Sequence, residues 1–278
     1  MDKIPISADD IVSLDHVAPG VAGLRILFVN VFAVATGEAE WTLIDAGLYF
    51  SGDRIRDWAR NHFGNAPPQA VVLTHGHFDH VGSLRDLADG WNAPVYVHPL
   101  EMDYVTGKAE YPPPDPLAGG GSMALLSPLF PRGPIDIGAR AHALPHDGSI
   151  PNMPGWRWLH TPGHTRGHVS LFREEDRTLI VGDAFCTTKQ ESLFAALTQR
   201  PELHGPPAYY TPDWDAARSS VEQLAALRPN AIAPGHGLPI AGPHAADELQ
   251  RLADDFDRIA RPQRGKYAKR GESGAPAA

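Results

Sequence analysis

Cysteine is almost absent from the chain: Cys186 is the only one in 278 residues. An intrachain disulfide and a cysteine-rich zinc finger are thereby excluded, and any bound metal must be held by nitrogen and oxygen. Long apolar runs are missing too. No segment approaches the roughly 18 residues of a membrane span, and the stretch from Met1 to Val12 has no apolar region of the kind an export signal carries. A cytoplasmic location, with no membrane partner, is the expectation. Positive charge is scarce, with 24 Lys and Arg against 33 Asp and Glu and a formal net charge of -9. A nucleic-acid partner, which needs clustered basic side chains, is disfavoured. The exception is local: Arg261, Arg264, Lys266, Lys269 and Arg270 follow one another without an acid. Together with the Gly/Pro/Ala-rich end they read as a basic, flexible tail over 263–278, solvated rather than bound to an anion.

What remains is an ordinary globular composition, 42% hydrophobic and 21% charged, read as one α/β domain over 1–262. Leu24 to Val34 and Trp41 to Ile44 read as strands separated by a polar turn at Gly37-Glu38. Ser51 is placed to cap a helix with Ile55, Trp58, Ala59 and Phe63 on its apolar face, and Gly64 to stop it. Val71-Val72-Leu73 reads as a buried strand. It leads through a polar cluster into an amphipathic helix carrying Val81, Leu84, Leu87 and Ala88. Pro94 to Val97 is a further strand. Residues 107–156, rich in proline and glycine, read as an irregular insertion over the active-site face or at a subunit contact, which leaves a homodimer open. Strand-like runs resume at Trp156–Thr161, Val169–Phe172, Thr178–Val181 and Ala231–Ala233. Thr211-Pro212-Asp213 opens a helix bearing Trp214, Ala217, Val221 and Leu224, and a last helix carries Leu249, Leu252, Phe256 and Ile259.

Five apolar strand candidates each run into a small residue and a potential ligand. These are Asp45, His75 with His77, His164, Asp183 and His236. Open α/β sheets place their sites at the carboxyl ends of strands, and a glycine beside a ligand lets the backbone turn. A catalytic zinc takes about three protein ligands plus water. His75 and His77 supply two, and His164 is the leading candidate for the third. Asp79 and His80 point to a second metal, with His236 completing its shell and Asp183 between the pair. Imidazole and carboxylate without thiolate suit Zn(II), and tolerate Fe or Mn.

The ordered set Asp45, His75-x-His77-x-Asp79-His80, His164, Asp183, His236 resembles the metallo-β-lactamase fold superfamily, and within it the glyoxalase-II-like and lactonase-like hydrolases. The resemblance implies a four-layer αββα sandwich with a dinuclear site at one edge of its two sheets. By the matching positions, one metal is held by His75, His77 and His164. The other is held by Asp79, His80 and His236, with Asp183 shared and Asp45 orienting a ligand. Two Zn(II) ions per chain, a hydroxide shared between them and Asp79 handling its proton would attack a lactone, thioester, ester or β-lactam carbonyl of a small molecule. The chain departs from its relatives in detail. Ala184 follows Asp183 where glyoxalase II enzymes have threonine, Cys186 stands where homoserine lactonases have tyrosine, and His77 replaces the glutamate of flavin-linked diiron proteins.

For an isolated histidine, packing or exposure is the better expectation, and His98, His160 and Glu101 are read that way. His168 is read as second to the ligands or as structural. Cys186 and Tyr210 are candidates for lining the site, with Tyr209 and Lys189 beside them. Two other functions compete. A mononuclear iron dioxygenase of the persulfide type resembles the same motif order but uses only the first ligand set. A non-catalytic module would keep the metal for stability alone.

Overall fold

A computed structural model gives the fold and describes residue 6 and residues 11–268. The first half of the chain builds a six-stranded sheet, β1 (Val21–Ile26), β2 (Val29–Gly37), β3 (Glu40–Ile44), β4 (Ala70–Val72), β5 (Val95–Val97) and β6 (Ala141–Ala143), in that spatial order. Helix α1 (Gly52–Phe63) connects β3 to β4, and α2 (Phe78–Val81) with α3 (Leu84–Trp91) connects β4 to β5. Beyond β5 come α4 (Met102–Val105) and α5 (Ser122–Leu126). The second half builds a five-stranded sheet from β7 (Trp156–His160), β8 (Val169–Arg173), β9 (Thr178–Gly182), β10 (Ala231–Pro234) and β11 (Ile240–Ala241), ordered 11-10-9-8-7. Its helices are α6 (Leu193–Thr198), α7 (Trp214–Ala226), α8 (Ala245–Asp254) and α9 (Phe256–Ile259).

Alternation along the strands shows how the layers stack. Side chains of a strand point to opposite faces in turn. In β2, Val29, Val31 and Ala33 join Ile55 of α1 and Leu84 and Leu87 of α3, whereas Phe32 and Val34 join Val169, Leu171 and Ile180 of the other sheet. In β9, Leu179 and Val181 join Val221 and Leu224 of α7 and Leu249 of α8, whereas Ile180 faces the first sheet. Helices, sheet, sheet and helices therefore form four layers, the expected αββα sandwich. Because both faces of the central strands are covered, they read in the sequence as continuous apolar runs.

Several local expectations change. The run from Leu24 to Val34 is a hairpin, because Leu27 turns into the left-handed region at φ 58° and is exposed. The helix after the histidine cluster is broken at Gly82 and Ser83. A Cβ on Gly82 would lie 2.2 Å from the Tyr49 nitrogen, so the loop after β3 passes where a side chain would otherwise stand. Ser51 precedes α1 without capping it, its hydroxyl donating instead to the Leu48 carbonyl at 2.6 Å. Asp213 caps α7, accepting from the Ala216 nitrogen at 2.9 Å. The segment 107–156 is less irregular than its composition suggests. It contributes β6, parallel to β5, and buries Tyr111 and Met123. The basic tail is anchored at one point where it is described, Asp115 accepting from the Lys266 backbone nitrogen, while the Arg264 and Lys266 side chains are exposed as expected. Lys269, Arg270 and the remainder to Ala278 lie outside the described residues.

Candidate metal centre

All five ligand-bearing segments leave the carboxyl ends of strands and meet at one edge of the sandwich. Asp45 follows β3, His75 and His77 follow β4, His164 follows β7, Asp183 follows β9 and His236 follows β10. Two strands in one sheet and three in the other thus aim at a common point. Three groups of ligand atoms lie close enough to share an ion: His75, His77 and His164; Asp79, His80 and His236; and His75, His80 and Asp183. In the first, His77 Nδ1 is 3.1 Å from His75 Nε2 and 2.9 Å from His164 Nε2. In the second, His236 Nε2 is 3.5 Å from Asp79 Oδ2. Asp183 stands between them, with Oδ2 3.1 Å from His236 Nε2 and 3.4 Å from His164 Nε2, and Oδ1 3.5 Å from His80 Nε2.

The outer nitrogens of four of these rings settle what the inner ones present. His80 Nδ1 donates to Asp45 Oδ2 at 2.8 Å, and His236 Nδ1 donates to the Phe28 carbonyl at 2.7 Å. His75 Nδ1 lies 3.1 Å from the Thr74 hydroxyl, whose own hydrogen goes to Asp45, so the hydroxyl accepts. His164 Nδ1 is likewise 3.2 Å from the Thr211 hydroxyl, which donates to the Pro207 carbonyl. Each ring therefore offers an inward lone pair when neutral, as metal-ligating histidines do. Lone pairs converge on carboxylate oxygens in a buried space, and His80 Nε2 and Asp183 Oδ1 have no hydrogen-bond partner there. Such an arrangement is repulsive unless protons on His80 and His236, or a metal cation in their place, occupy its centre. The donor set of imidazoles and carboxylates fits a divalent metal.

The electrostatics differ between the two sets. Burial opposes protonation of His80 and His236, but Asp183 with Asp45 around the one, and Asp183 with Asp79 around the other, outweigh it and raise both rings, His80 well above its usual pKa. The rings of the first set are lowered instead. Burial, reinforced by the neighbouring His80, holds the His75 ring well below its usual pKa. Burial brings His77 down to about 3, and with His77 beside it holds His164 well below the usual histidine range. Burial opposes ionisation of Asp183, but His236 and His80 outweigh it and hold the carboxyl well below the carboxylate range. Burial raises Asp79.

Around this core, Asp45 is a positioning group, as the motif suggests: its Oδ1 accepts from the Thr74 nitrogen and its Oδ2 from Thr74 and His80. His168 holds Asp183, since its Nε2 accepts from the Asp183 backbone nitrogen at 2.8 Å while Nδ1 faces the Thr161 hydroxyl. A Cβ on Gly235 would fall 2.2 Å from Asp183 Oδ1, so only glycine lets the His236 loop come this close. Tyr210 stands at the mouth, its ring 4.6 Å from His77. Cys186 does not line the cavity at the mouth: it is buried, with its backbone paired to His204. Lys189 is likewise absent from the cavity wall, whereas Tyr209 is part of it.

Three contributors escape the sequence. Glu101, expected to be structural, is fully buried, and its carboxylate accepts from the Gly76 nitrogen, the Thr165 hydroxyl, the Gly167 nitrogen and the Tyr111 hydroxyl. It ties the His75–His77 loop to the His164 loop. Tyr111, from the supposed insertion, packs its ring 4.3 Å from His77. Asn30 of β2 donates to the carbonyls of Pro234 and Gly237 on either side of His236. No local pattern marks any of the three, because each acts on residues remote in sequence.

A family model described as the metallo-beta-lactamase superfamily matches residues 24–236. The chain is 46% identical over 245 residues to "Probable metallo-hydrolase YflN" of Bacillus subtilis (strain 168), covering 87% of this chain and 93% of that protein. Among solved structures, it matches BLEG-1, a B3 metallo-beta-lactamase, with TM-score 0.56 and 22% identity, covering 84% of this chain and 96% of that one. It also matches TTHA1623 in a di-iron-bound form, with TM-score 0.54 and 25% identity over the same shares. The chain belongs to the metallo-beta-lactamase superfamily.

Proposed function

We propose that this chain is a dinuclear metal-dependent hydrolase that attacks the carbonyl of a small molecule: a lactone, thioester, ester or β-lactam. The observation that carries the reading is the convergence of two three-residue ligand sets on the Asp183 carboxylate. Family membership and the relative named as a probable metallo-hydrolase support the hydrolase class.

His75, His77 and His164 would hold one ion and Asp79, His80 and His236 the other, with Asp183 reaching both. Two Zn(II) ions suit these donors, and Fe or Mn is compatible with them; the di-iron form of TTHA1623 gives iron some weight. Bound there, the ions supply Lewis acidity toward a carbonyl oxygen and a water whose pKa falls to about 7. The chain's own groups do the rest. Asp79, beside His236 Nε2, would orient the attacking water and take up its proton. The Tyr210 hydroxyl is buried without a hydrogen-bond partner and is available to a substrate oxygen. Asp45 keeps His80 aimed, and His168 does the same for the Asp183 backbone.

A mononuclear iron dioxygenase would need only the first ligand set. The second set is equally well assembled, with His80 and His236 each held by an outer hydrogen bond, which favours two metals. Metal analysis and a panel of lactones, thioesters, esters and β-lactams test the reading. Two ions per chain with turnover of one class is expected. One iron per chain with oxygen uptake would replace it by the dioxygenase.

A further inference from the structure

We infer that the cavity beside the ligand set selects carbonyl substrates with a flat, apolar body and a single carboxylate, Arg166 holding the carboxylate and Tyr267 closing over the body. This rests on the hydrolase reading above and adds the class of substrate.

The cavity holds about 330 Å³ and opens onto His77 and His164. Its walls are aromatic. Tyr111 packs on His77, and Tyr104 stacks on Tyr111 with ring centroids 3.9 Å apart and planes at 15°. On the other side Tyr210 packs on His77, and Tyr209 lies 5.1 Å from Tyr210. The Tyr111 hydroxyl is committed to Glu101, so this residue offers its ring rather than its oxygen. Such walls favour a planar apolar group, which gains ring contacts.

Charge along the cavity is sparse. Apart from the two histidines, Arg166 and Asp213 are the charged residues lining it. Asp213 is occupied in capping α7. Arg166 is exposed, and among the described residues no acid pairs with its side chain. A guanidinium at the rim of an aromatic cavity is suited to bind a carboxylate in a bidentate fork. Substrates with several charges or a free ammonium find no matching set of partners.

Tyr267 completes the wall. It lies beyond residues 24–236, the span that matches the family model. Asp115 fixes that segment through the Lys266 nitrogen, and a Cβ on Gly265 would collide with the Asp115 carboxylate. Lys266 Nζ sits 4.8 Å over the Tyr267 ring and adds positive charge near the mouth.

The test is equilibrium binding of 2-naphthoate and its neutral isostere 2-naphthamide to the metal-replete full chain, followed by fluorescence. The carboxylate should bind about tenfold tighter than the amide. Arg166→Gln should bring the two affinities to within about twofold of each other, and Arg166→Lys should keep part of the difference. Tyr267→Ala should weaken both probes by roughly five- to tenfold while preserving their ratio. Equal affinities in the unaltered protein would overturn the inference. So would a ratio that survives Arg166→Gln, which would mean that the carboxylate sits on the metals. Unchanged binding of both probes by Tyr267→Ala would remove that residue from the wall. Binding needs no turnover, so the two readings fail separately. Selective binding without hydrolysis of any lactone, thioester, ester or β-lactam defeats the hydrolase reading alone, and hydrolysis without carboxylate selectivity defeats this inference alone.

Discussion

Asp45 Oδ2 lies 2.8 Å from His80 Nδ1, and this bond turns the far side of the imidazole toward Asp183. Asp45 itself is held in the left-handed region at φ 60°, with its carboxylate also bound to Thr74. The carboxylate therefore fixes both the tautomer and the direction of a ligand it never shares a metal with. Asp45→Ala should lower metal affinity at the Asp79, His80 and His236 set by about 10- to 100-fold, with a smaller loss at the first set through Thr74, whose hydroxyl faces His75. Chelator competition with metal counting measures this, and equal loss at both sets would show that Asp45 supports the whole edge rather than His80.

Glu101 joins two ligand loops through one carboxylate. Glu101→Ala would leave the Gly167 nitrogen and the Thr165 and Tyr111 hydroxyls without that buried acceptor, at about 1–3 kcal/mol each, while the Gly76 nitrogen keeps the Tyr111 hydroxyl at 2.8 Å. Urea unfolding of the variant should show a loss of roughly 3–5 kcal/mol. Metal binding to His75, His77 and His164 should weaken with it, since the two loops that carry them lose their common anchor. A loss below about 1 kcal/mol would mean that water replaces the carboxylate.

Removing the metal should destabilise the fold itself, because the ring nitrogens and carboxylate oxygens then face one another unscreened. A ligand at about a thousand times its dissociation constant contributes roughly 4 kcal/mol. In a chain of this size that corresponds to a fall of roughly 10 °C in melting temperature on chelation. Restoring Zn(II) should recover it. An unchanged melting curve, with metal loss verified, would speak against a metal at the cluster.

Asn30 reaches across from the first sheet to hold the loop of the second, donating to Pro234 and Gly237 at 2.9 and 2.7 Å. Asn30→Ala should cost about 1–3 kcal/mol and weaken binding at the set containing His236. Scanning calorimetry with and without metal separates the two effects. If stability falls while metal affinity does not, the His236 ring is held by Phe28 alone.

The chemistry was legible in the sequence wherever neighbouring residues act together. The His75 to His80 segment sits directly after a strand, so a local turn delivers four polar side chains to one place, and the apolar runs announce strands covered on both faces. The order of His164, Asp183 and His236 along the chain, after Asp45, pointed to the remaining candidate ligands. Tertiary structure alone decided which residues hold those ligands still and what the cavity admits. Glu101, Tyr111, Thr211 and Asn30 each act through contacts with segments far away in sequence, and a buried hydrogen-bonding partner looks like any other residue until the chain has brought its counterpart within 3 Å or so. The carboxyl-terminal segment makes the same point. Its composition suggests a solvated tail, yet Asp115, far back in the chain, holds Lys266 and so sets Tyr267 into the cavity wall.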